Sequence, residues 1–446
     1  MKRSILLTIK KNGINGEGIG YYKKKITFVK GALPGEIVEC VIIEENSKYI
    51  KANLLKIKEK SSYRVSNVRK EFLDSGAYNL IHVDYAKQLE FKRDIVVDAF
   101  SKYLKGKNIE IENTIASPIQ IHYRNKNQFP VAIRKGKLIA GLYKEGTNEL
   151  VNVTDCVALH KNGNKVTELI KKSIVKFNLP VSSSKKFKGI KYISTRTSFA
   201  TGDVQVIFIA NTRKINNLEK AVNHLKKEKI IKSIVLNITN EKSHLLLGDE
   251  TISLYGKDYI IEKIGNVSYK LSANSFFQLN PIQTKNLFDI VVDVAKIKKS
   301  DVVLDAFCGV GVIGQYVSKY SKEIYGVDIV EDAIINAKEN IKLNNLTNCN
   351  YEAGDATNII QKWRKEGINF DVVIVDPPRS GLGNLAKHLL STKAKKIVYV
   401  SCNPSTLAKD LNILTRKYKI KRVIPLDMFP QTAQVETVVL LSKINK

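Results

Sequence analysis

Four short apolar runs near the C-terminus constrain this chain most: Val302 to Asp305, Glu323 to Asp328, Asp371 to Asp376 and Lys396 to Ser401. Each ends on a polar residue, and helical stretches such as Glu331 to Asn344 separate them. Short, continuously apolar strands alternating with helices are buried on both faces, which a parallel sheet covered by helices permits. The predicted fold class is α/β, with a Rossmann-like doubly wound domain. Such sheets bind ligands at the carboxyl ends of their strands, where the polar residues fall.

The 446 residues are long for one domain, and about three are expected at roughly 150 residues each. Residues 1–58 alternate apolar stretches with turns, as in Gly16-Glu17-Gly18-Ile19-Gly20 and Ala32-Leu33-Pro34-Gly35, a pattern that predicts a small β-barrel. Lys23, Lys24 and Lys25 are placed on one of its turns as an RNA-contact candidate, against the plainer reading of a solvated face. Residues 59–271 carry mixed signals, with a helix around Tyr85 to Leu104 and strands at Lys137 to Tyr143 and Val204 to Ile209. They are read as a central α+β domain, and residues 272–446 as the doubly wound domain.

Hydrophobic residues at 43% and charged residues at 26% describe an ordered globular protein. The formal net charge of +30 points to a polyanionic partner, with nucleic acid first and a merely lysine-rich proteome as the plain alternative. No apolar run reaches the roughly 20 residues that cross a bilayer, and the N-terminus lacks a signal-peptide core, so a cytoplasmic protein without a membrane partner is expected. The five scattered cysteines, Cys40, Cys156, Cys308, Cys349 and Cys402, argue against a disulfide framework.

Gly309 and Gly311 follow Asp305 and allow the backbone to approach a ligand. Alone this loop is read sooner as a tight strand-to-helix turn or a dinucleotide site. Asp328 at the next strand tip suits ribose hydroxyls, and Asp355 after the third strand suits an adenine edge. Acidic tips without a Gly-Lys-Ser/Thr signature favour S-adenosylmethionine, whose sulfonium is positive, over a phosphate cradle.

Ser401-Cys402-Asn403-Pro404 places a thiol between a buried strand and a helix start, whose N–H groups and dipole are expected to favour thiolate. A thiolate adding to C6 of uracil makes C5 nucleophilic, dividing one hard methylation into easier steps. The C5 proton must then leave, and Glu436 is the candidate base, against the reading of an ordinary solvent-facing carboxylate before the strand at Val438. Asp376 suits a uracil edge or the methionine amine, and Arg379 an enolate or a phosphate. An amino-group methyltransferase would usually carry an aromatic after the two prolines, where this chain has Arg379.

With Phe276-Phe277-Gln278-Leu279-Asn280, the loop Phe307 to Gly311, Asp376-Pro377-Pro378-Arg379, Ser401-Cys402-Asn403-Pro404 and Met428-Phe429-Pro430 through Glu436, the chain resembles the RNA uracil-5 methyltransferase family over nearly its whole length. The resemblance implies Cys402 as nucleophile and Glu436 as base. It implies that Gln278, Phe307, Asp328 and Asp376 line the cofactor pocket and that Phe276 positions a flipped uridine. The N-terminal segment resembles the TRAM domain of the ribosomal RNA branch, which implies 23S ribosomal RNA as substrate and residues 85–112 packed on the methyltransferase domain.

Two departures bear on chemistry. Many family members with this barrel hold an iron–sulfur cluster on a C-x5-C-x2-C run and one later cysteine. Here Arg69, Ser75 and Tyr78 occupy the run and only Cys156 remains, so no iron–sulfur cluster and no metal are expected. Gln434 stands where the family commonly has histidine, and Val312 where a polar residue often follows the loop. Glutamine carries no proton at neutral pH. The expectation is C5-methylation of a uridine in 23S ribosomal RNA, with no obligate protein partner. The alternatives are the same chemistry on transfer RNA, separable by assays on the two RNAs, and a non-catalytic ribosome-assembly factor, separable by a Cys402→Ala protein that keeps every cellular role.

Overall fold

The computed structural model describes residues 4–182, 187–239 and 246–444. The N-terminal strands are β1 (Ser4–Thr8), β2 (Lys11–Asn12), β3 (Gly18–Tyr22), β4 (Lys25–Lys30), β5 (Ile37–Glu45) and β6 (Tyr49–Glu59), in the sheet order β1-β5-β6-β4-β3-β2. Glycine lets the sheet curl onto itself. A Cβ on Gly20 would stand 2.6 Å from the Thr8 carbonyl oxygen and 2.8 Å from the Leu7 side chain, so β3 crosses β1 only because position 20 has none. Lys23 and Lys24 make the left-handed turn into β4.

Two helices follow, α1 (Lys70–Ser75) and α2 (Tyr85–Tyr103). Asp84 caps α2 by accepting from the Ala86 N–H. The apolar face of α2, Phe91, Ile95, Val96 and Phe100, is buried in one core with Leu304, Val375 and Tyr399, which packs this helix against the C-terminal sheet.

The central sheet has the order β13-β12-β11-β10-β7-β8-β9. Its strands are β7 (Phe129–Arg134), β8 (Lys137–Tyr143), β9 (Leu150–Asn152), β10 (Ile190–Thr197), β11 (Val204–Ala210), β12 (Ile231–Ile238) and β13 (Glu250–Gly256), accompanied by α3 (Lys161–Lys176) and α4 (Leu218–Leu225). A hairpin, β14 (Tyr259–Ile264) and β15 (Val267–Ser272), then leads to α5 (Pro281–Ala295).

The C-terminal sheet comprises β16 (Val302–Ala306), β17 (Glu323–Asp328), β18 (Cys349–Ala353), β19 (Val372–Val375), β20 (Lys396–Ser401), β21 (Tyr418–Leu426) and β22 (Glu436–Lys443). Between them run α6 (Val312–Val317), α7 (Glu331–Leu343), α8 (Ala356–Lys365), α9 (Leu385–Leu389) and α10 (Pro404–Leu414). The order β18-β17-β16-β19-β20-β22-β21 is parallel through β20, with β22 antiparallel. Alternation along the strands fills both faces: Val303, Ile374 and Val398 pack with Leu287 and Phe288 of α5, while Leu304, Val373 and Ile397 pack with α2 and α10. Strand order reverses between β16 and β19, the switch point at which such sheets open a crevice. The doubly wound class and its barrel neighbour are as predicted. Among the described residues no helix is long and apolar enough to cross a membrane.

Candidate active site

The loop after β16 is shaped by backbone geometry. Phe307, half-buried, has φ 63, a left-handed conformation unusual for a bulky residue. Gly309 and Gly311 follow with φ 53 and 78, and a Cβ on Gly309 would project into open space. Close packing explains other glycines of this crevice: Tyr351 of β18 lies where a Cβ on Gly326 would come within 2.0 Å and one on Gly314 within 2.3 Å. The Phe277 ring packs on Tyr269 at 5.5 Å, and the Tyr269 hydroxyl donates to the Val312 carbonyl at 3.0 Å. The departure at position 312 therefore leaves a buried valine whose backbone holds the hairpin β14–β15.

Carboxylates crowd this loop. Asp328 accepts from the Gly309 N–H through one oxygen and from the Val330 N–H through the other, both at 2.9 Å. Asp305, wholly buried, accepts from the Gly314 N–H at 2.8 Å and leaves its second oxygen without a partner. Burial pushes Asp305 up to about 7, and the like charges of Asp376 and Asp328 add to it. Burial also pushes Asp376, at the tip of β19, up to about 7. Asp355 is exposed and caps α8 by accepting from Asn358 N–H through Oδ1 at 3.1 Å. A set of carboxylates with an orphaned buried oxygen fits a cationic ligand such as S-adenosylmethionine and disfavours an anionic phosphate.

The strand register brings the thiol and the carboxylate together. Ser401 of β20 pairs with Thr437 of β22, so the adjoining residues Cys402 and Glu436 leave the ladder side by side. Glu436 is the first residue of β22 and 8% exposed; it is neither before the strand nor solvent-facing. The expected thiolate is corrected here. Burial pushes the half-buried Cys402 thiol up to about 11, the negative charges of Glu436 and Asp376 add to this, and Arg379 opposes it. Desolvation and like charge outweigh the helix start, although Asn403 does cap α10 through the Ser405 N–H at 3.1 Å. Burial and the charge of Asp376 hold Glu436 well above the carboxylate range. Arg379 is exposed, with its carbonyl fixed by Asn403 Nδ2 at 2.9 Å and Thr406 Oγ1 at 3.2 Å.

The segment between β15 and α5 carries Phe276, 74% exposed, Phe277, in the core, and Gln278, half-buried. It is anchored by the Asn125 side chain donating to the Gln278 carbonyl at 3.1 Å and by Asn280 Nδ2 donating to the Met428 carbonyl at 3.0 Å. The loop preceding Glu436 is tied down by residues that no local pattern singled out. Lys92 and Asp427 form a wholly buried ion pair, Tyr85 donates to Asp427 at 2.8 Å, and Gln431 exchanges hydrogen bonds with Gln88 at 2.9 Å. Gln434 is exposed beside this loop. Tyr78 lies 2.9 Å from the Cys156 sulfur, its ring edge-on to Phe72, with Arg69 stacked over Phe72. Among the described residues no group of three or more His, Cys, Asp or Glu could hold a metal ion.

The sheet order, the glycine loop and the acidic strand tips define the S-adenosylmethionine-dependent methyltransferase class. The model of the tRNA (uracil-5-)-methyltransferase family matches residues 84–444, and that of the TRAM domain residues 3–55. The chain belongs to the tRNA (uracil-5-)-methyltransferase family, whose cofactor is S-adenosylmethionine. It is 40% identical over 440 residues to an uncharacterized RNA methyltransferase of Bacillus anthracis, covering 98% of this chain and 96% of that one. A Listeria monocytogenes protein of the same description is 42% identical over 446 residues, covering 99% and 97%. Among solved structures, the tRNA (uracil-54, C5)-methyltransferase of Pyrococcus abyssi, in complex with S-adenosyl-L-homocysteine, is 29% identical with a TM-score of 0.77, covering 98% of this chain and 100% of that one. This likeness overturns the expected ribosomal RNA branch and with it 23S ribosomal RNA as substrate. A protein acting on transfer RNA matches essentially this whole chain, so the N-terminal barrel does not mark a ribosomal RNA enzyme.

Proposed function

We propose that this protein methylates C5 of a uridine in transfer RNA, with Cys402 as nucleophile and Glu436 as the base that removes the C5 proton. The observation carrying the chemistry is the register at the end of β20 and the start of β22, which leaves Cys402 beside Glu436. The whole-length likeness to the archaeal transfer RNA enzyme supports the substrate. Phe307, Asp328, Asp355, Asp376 and Gln278 would hold the cofactor, which when bound supplies an electrophilic methyl group. Phe276, an exposed ring on an anchored segment, suits stacking on the extruded uracil.

The Cys402 thiol gives up its proton to water as its sulfur adds to C6 of the ring, and Arg379, the cation that acts on this thiol, favours both the thiolate and the enolate that develops as the C6–S bond forms. C5 would then take the methyl group as the methyl–sulfur bond of the cofactor breaks and its sulfur becomes a neutral thioether. Glu436 removes the C5 proton, the C5–C6 double bond re-forms and the thiolate leaves. A carboxylate raised by burial is a stronger base than an exposed one, which suits a carbon acid. Five unpaired cysteines suit the reducing cytoplasm as the place of action.

The test is an assay of purified protein with an unmodified transfer RNA transcript and methyl-labelled S-adenosylmethionine. Label is expected as 5-methyluridine in that transcript. If digestion recovers none, the proposal is lost.

A further inference from the structure

Three cations outside the crevice have no anionic partner. Lys126 and Arg196 face each other across an antiparallel bridge between the segment before β7 and the strand β10, and Arg124 donates from Nε to the Lys126 carbonyl at 2.8 Å. Among the described residues none of the three forms an ion pair. Arg196 is 2% exposed and its Nε has no acceptor. Burial pushes Lys126 down to about 6, and the like charges of Arg196 and Arg124 add to this. Buried cations are ordinarily paired, because unpaired charge away from water is costly. Lys126 therefore gives up most of its charge at neutral pH while no anion is near, and an arriving anion would restore it.

The position of these cations indicates what supplies that anion. Lys126 Nζ donates to the Ala273 carbonyl at 3.3 Å and Arg196 Nη2 to the Ser275 carbonyl at 2.7 Å, so both cations sit under the turn that delivers the exposed Phe276. We propose that Arg124 and Lys126, backed by the buried charge of Arg196, seat an RNA phosphodiester next to the uridine being methylated. The proposal rests on the function proposed above. Arg124 is exposed and Lys126 half-buried, which leaves the seat reachable. A phosphodiester accompanies every nucleotide, so the contact fixes the strand beside Phe276 whatever base is extruded. The carboxylate of the cofactor is the other anion available, and the test separates the two.

Full-length Arg124→Gln and Lys126→Met proteins are compared with wild type for binding of an unmodified transfer RNA transcript across a potassium chloride series. Each lost phosphate contact should lower the slope of log affinity against log salt by about 0.7 to 0.9, with affinity for S-adenosyl-L-homocysteine unchanged. Slopes equal to wild type would overturn the proposal, as would weakened binding of the S-adenosyl-L-homocysteine probe with the RNA slope intact. Arg124→Gln, altered at an exposed side chain, decides the matter should Lys126→Met fail to fold. The same transcript serves the methyl-transfer assay: reduced slopes without methylation by wild type would sink the function and leave the seat, and methylation with unmoved slopes the reverse.

Discussion

Cys402 holds its proton more tightly than a free thiol because it is partly buried beside two carboxyl groups. Its reactivity therefore depends on a ring placed against it and on Arg379, and free-enzyme alkylation should be slow at neutral pH. Cys402→Ala should abolish methyl transfer and leave transfer RNA binding within about threefold, since a single sulfur adds little to a phosphate-dominated contact. Glu436→Gln should stop the reaction after C6 addition and accumulate a denaturation-resistant protein–RNA band on gels; a variant that turns over normally removes Glu436 from the chemistry. The raised carboxyls give a pH prediction. Asp305 and Asp376 rise from 3.8 to about 7 in the fold, so their contribution to stability is complete below about pH 4 and is lost as pH climbs through 7. A cationic cofactor held at Asp376 as proposed, with Asp305 at the neighbouring strand tip, would favour their ionised forms. Its affinity should thus fall by up to about tenfold per carboxyl for each unit below 7, and Asp376→Asn should weaken binding at pH 8 and flatten the profile. Calorimetry giving equal dissociation constants at pH 6 and 8 would exclude this.

The loop ahead of Glu436 depends on α2. Lys92 and Asp427, neither exposed, join that helix to the end of β21 over 335 residues of sequence, and Gln88 binds Gln431 over 343. Removing one member of a buried ion pair strands the other. Lys92→Met should cost about 3–5 kcal/mol in urea unfolding, and adding Asp427→Leu should recover much of it; a Lys92→Met protein as stable as wild type contradicts the pairing. The elements differ in how legible they are. β17 and β20 follow the predicted Glu323 to Asp328 and Lys396 to Ser401, and α7 runs Glu331–Leu343, because apolar runs ending on polar tips carry a strong local signal. The central sheet reads less fully: the predicted Lys137 to Tyr143 and Val204 to Ile209 return as β8 and β11, but β7, β9, β10, β12 and β13 drew no strand prediction, and a strand buried at every position, as β11 is, shows no alternation to tell it from a buried helix. At the site, Cys402, Glu436 and Asp376 stand out by their motifs, whereas the Lys92–Asp427 pair and the upward shift of the thiol arise from burial between distant segments. No local pattern records that.

Charge acts at the scale of the whole molecule. The excess of 30 positive charges is spread over a barrel and a core that meet along a seam. A groove of about 570 Å³ follows the seam, lined by Lys10, Lys11, Lys87 and Lys102 with Tyr63, and reaches Ser405 at the start of α10, the helix that follows Cys402. Lys11 is paired with Asp98 at 2.9 Å across it, and in the segment leaving the barrel Arg64 is tied to the buried Glu36 at 2.8 Å and to the Gly31 carbonyl at 2.6 Å. The barrel is thereby fixed against the body that holds the crevice, and an aromatic-edged path that carries the carboxylates Asp94 and Asp98 beside its lysines runs between them. RNA lying along such a path releases counterions in proportion to the phosphates it neutralises, so its affinity should fall steeply with salt: about a thousandfold between 50 and 200 mM if some six phosphates are engaged. The cofactor, if held by a few carboxylates as proposed, brings no such counterion atmosphere, and its affinity should change far less over the same range. Titrating both ligands against one salt series tests the division directly. An RNA affinity as insensitive to salt as that of the cofactor would mean that the charge excess serves solubility and that recognition rests on the crevice alone.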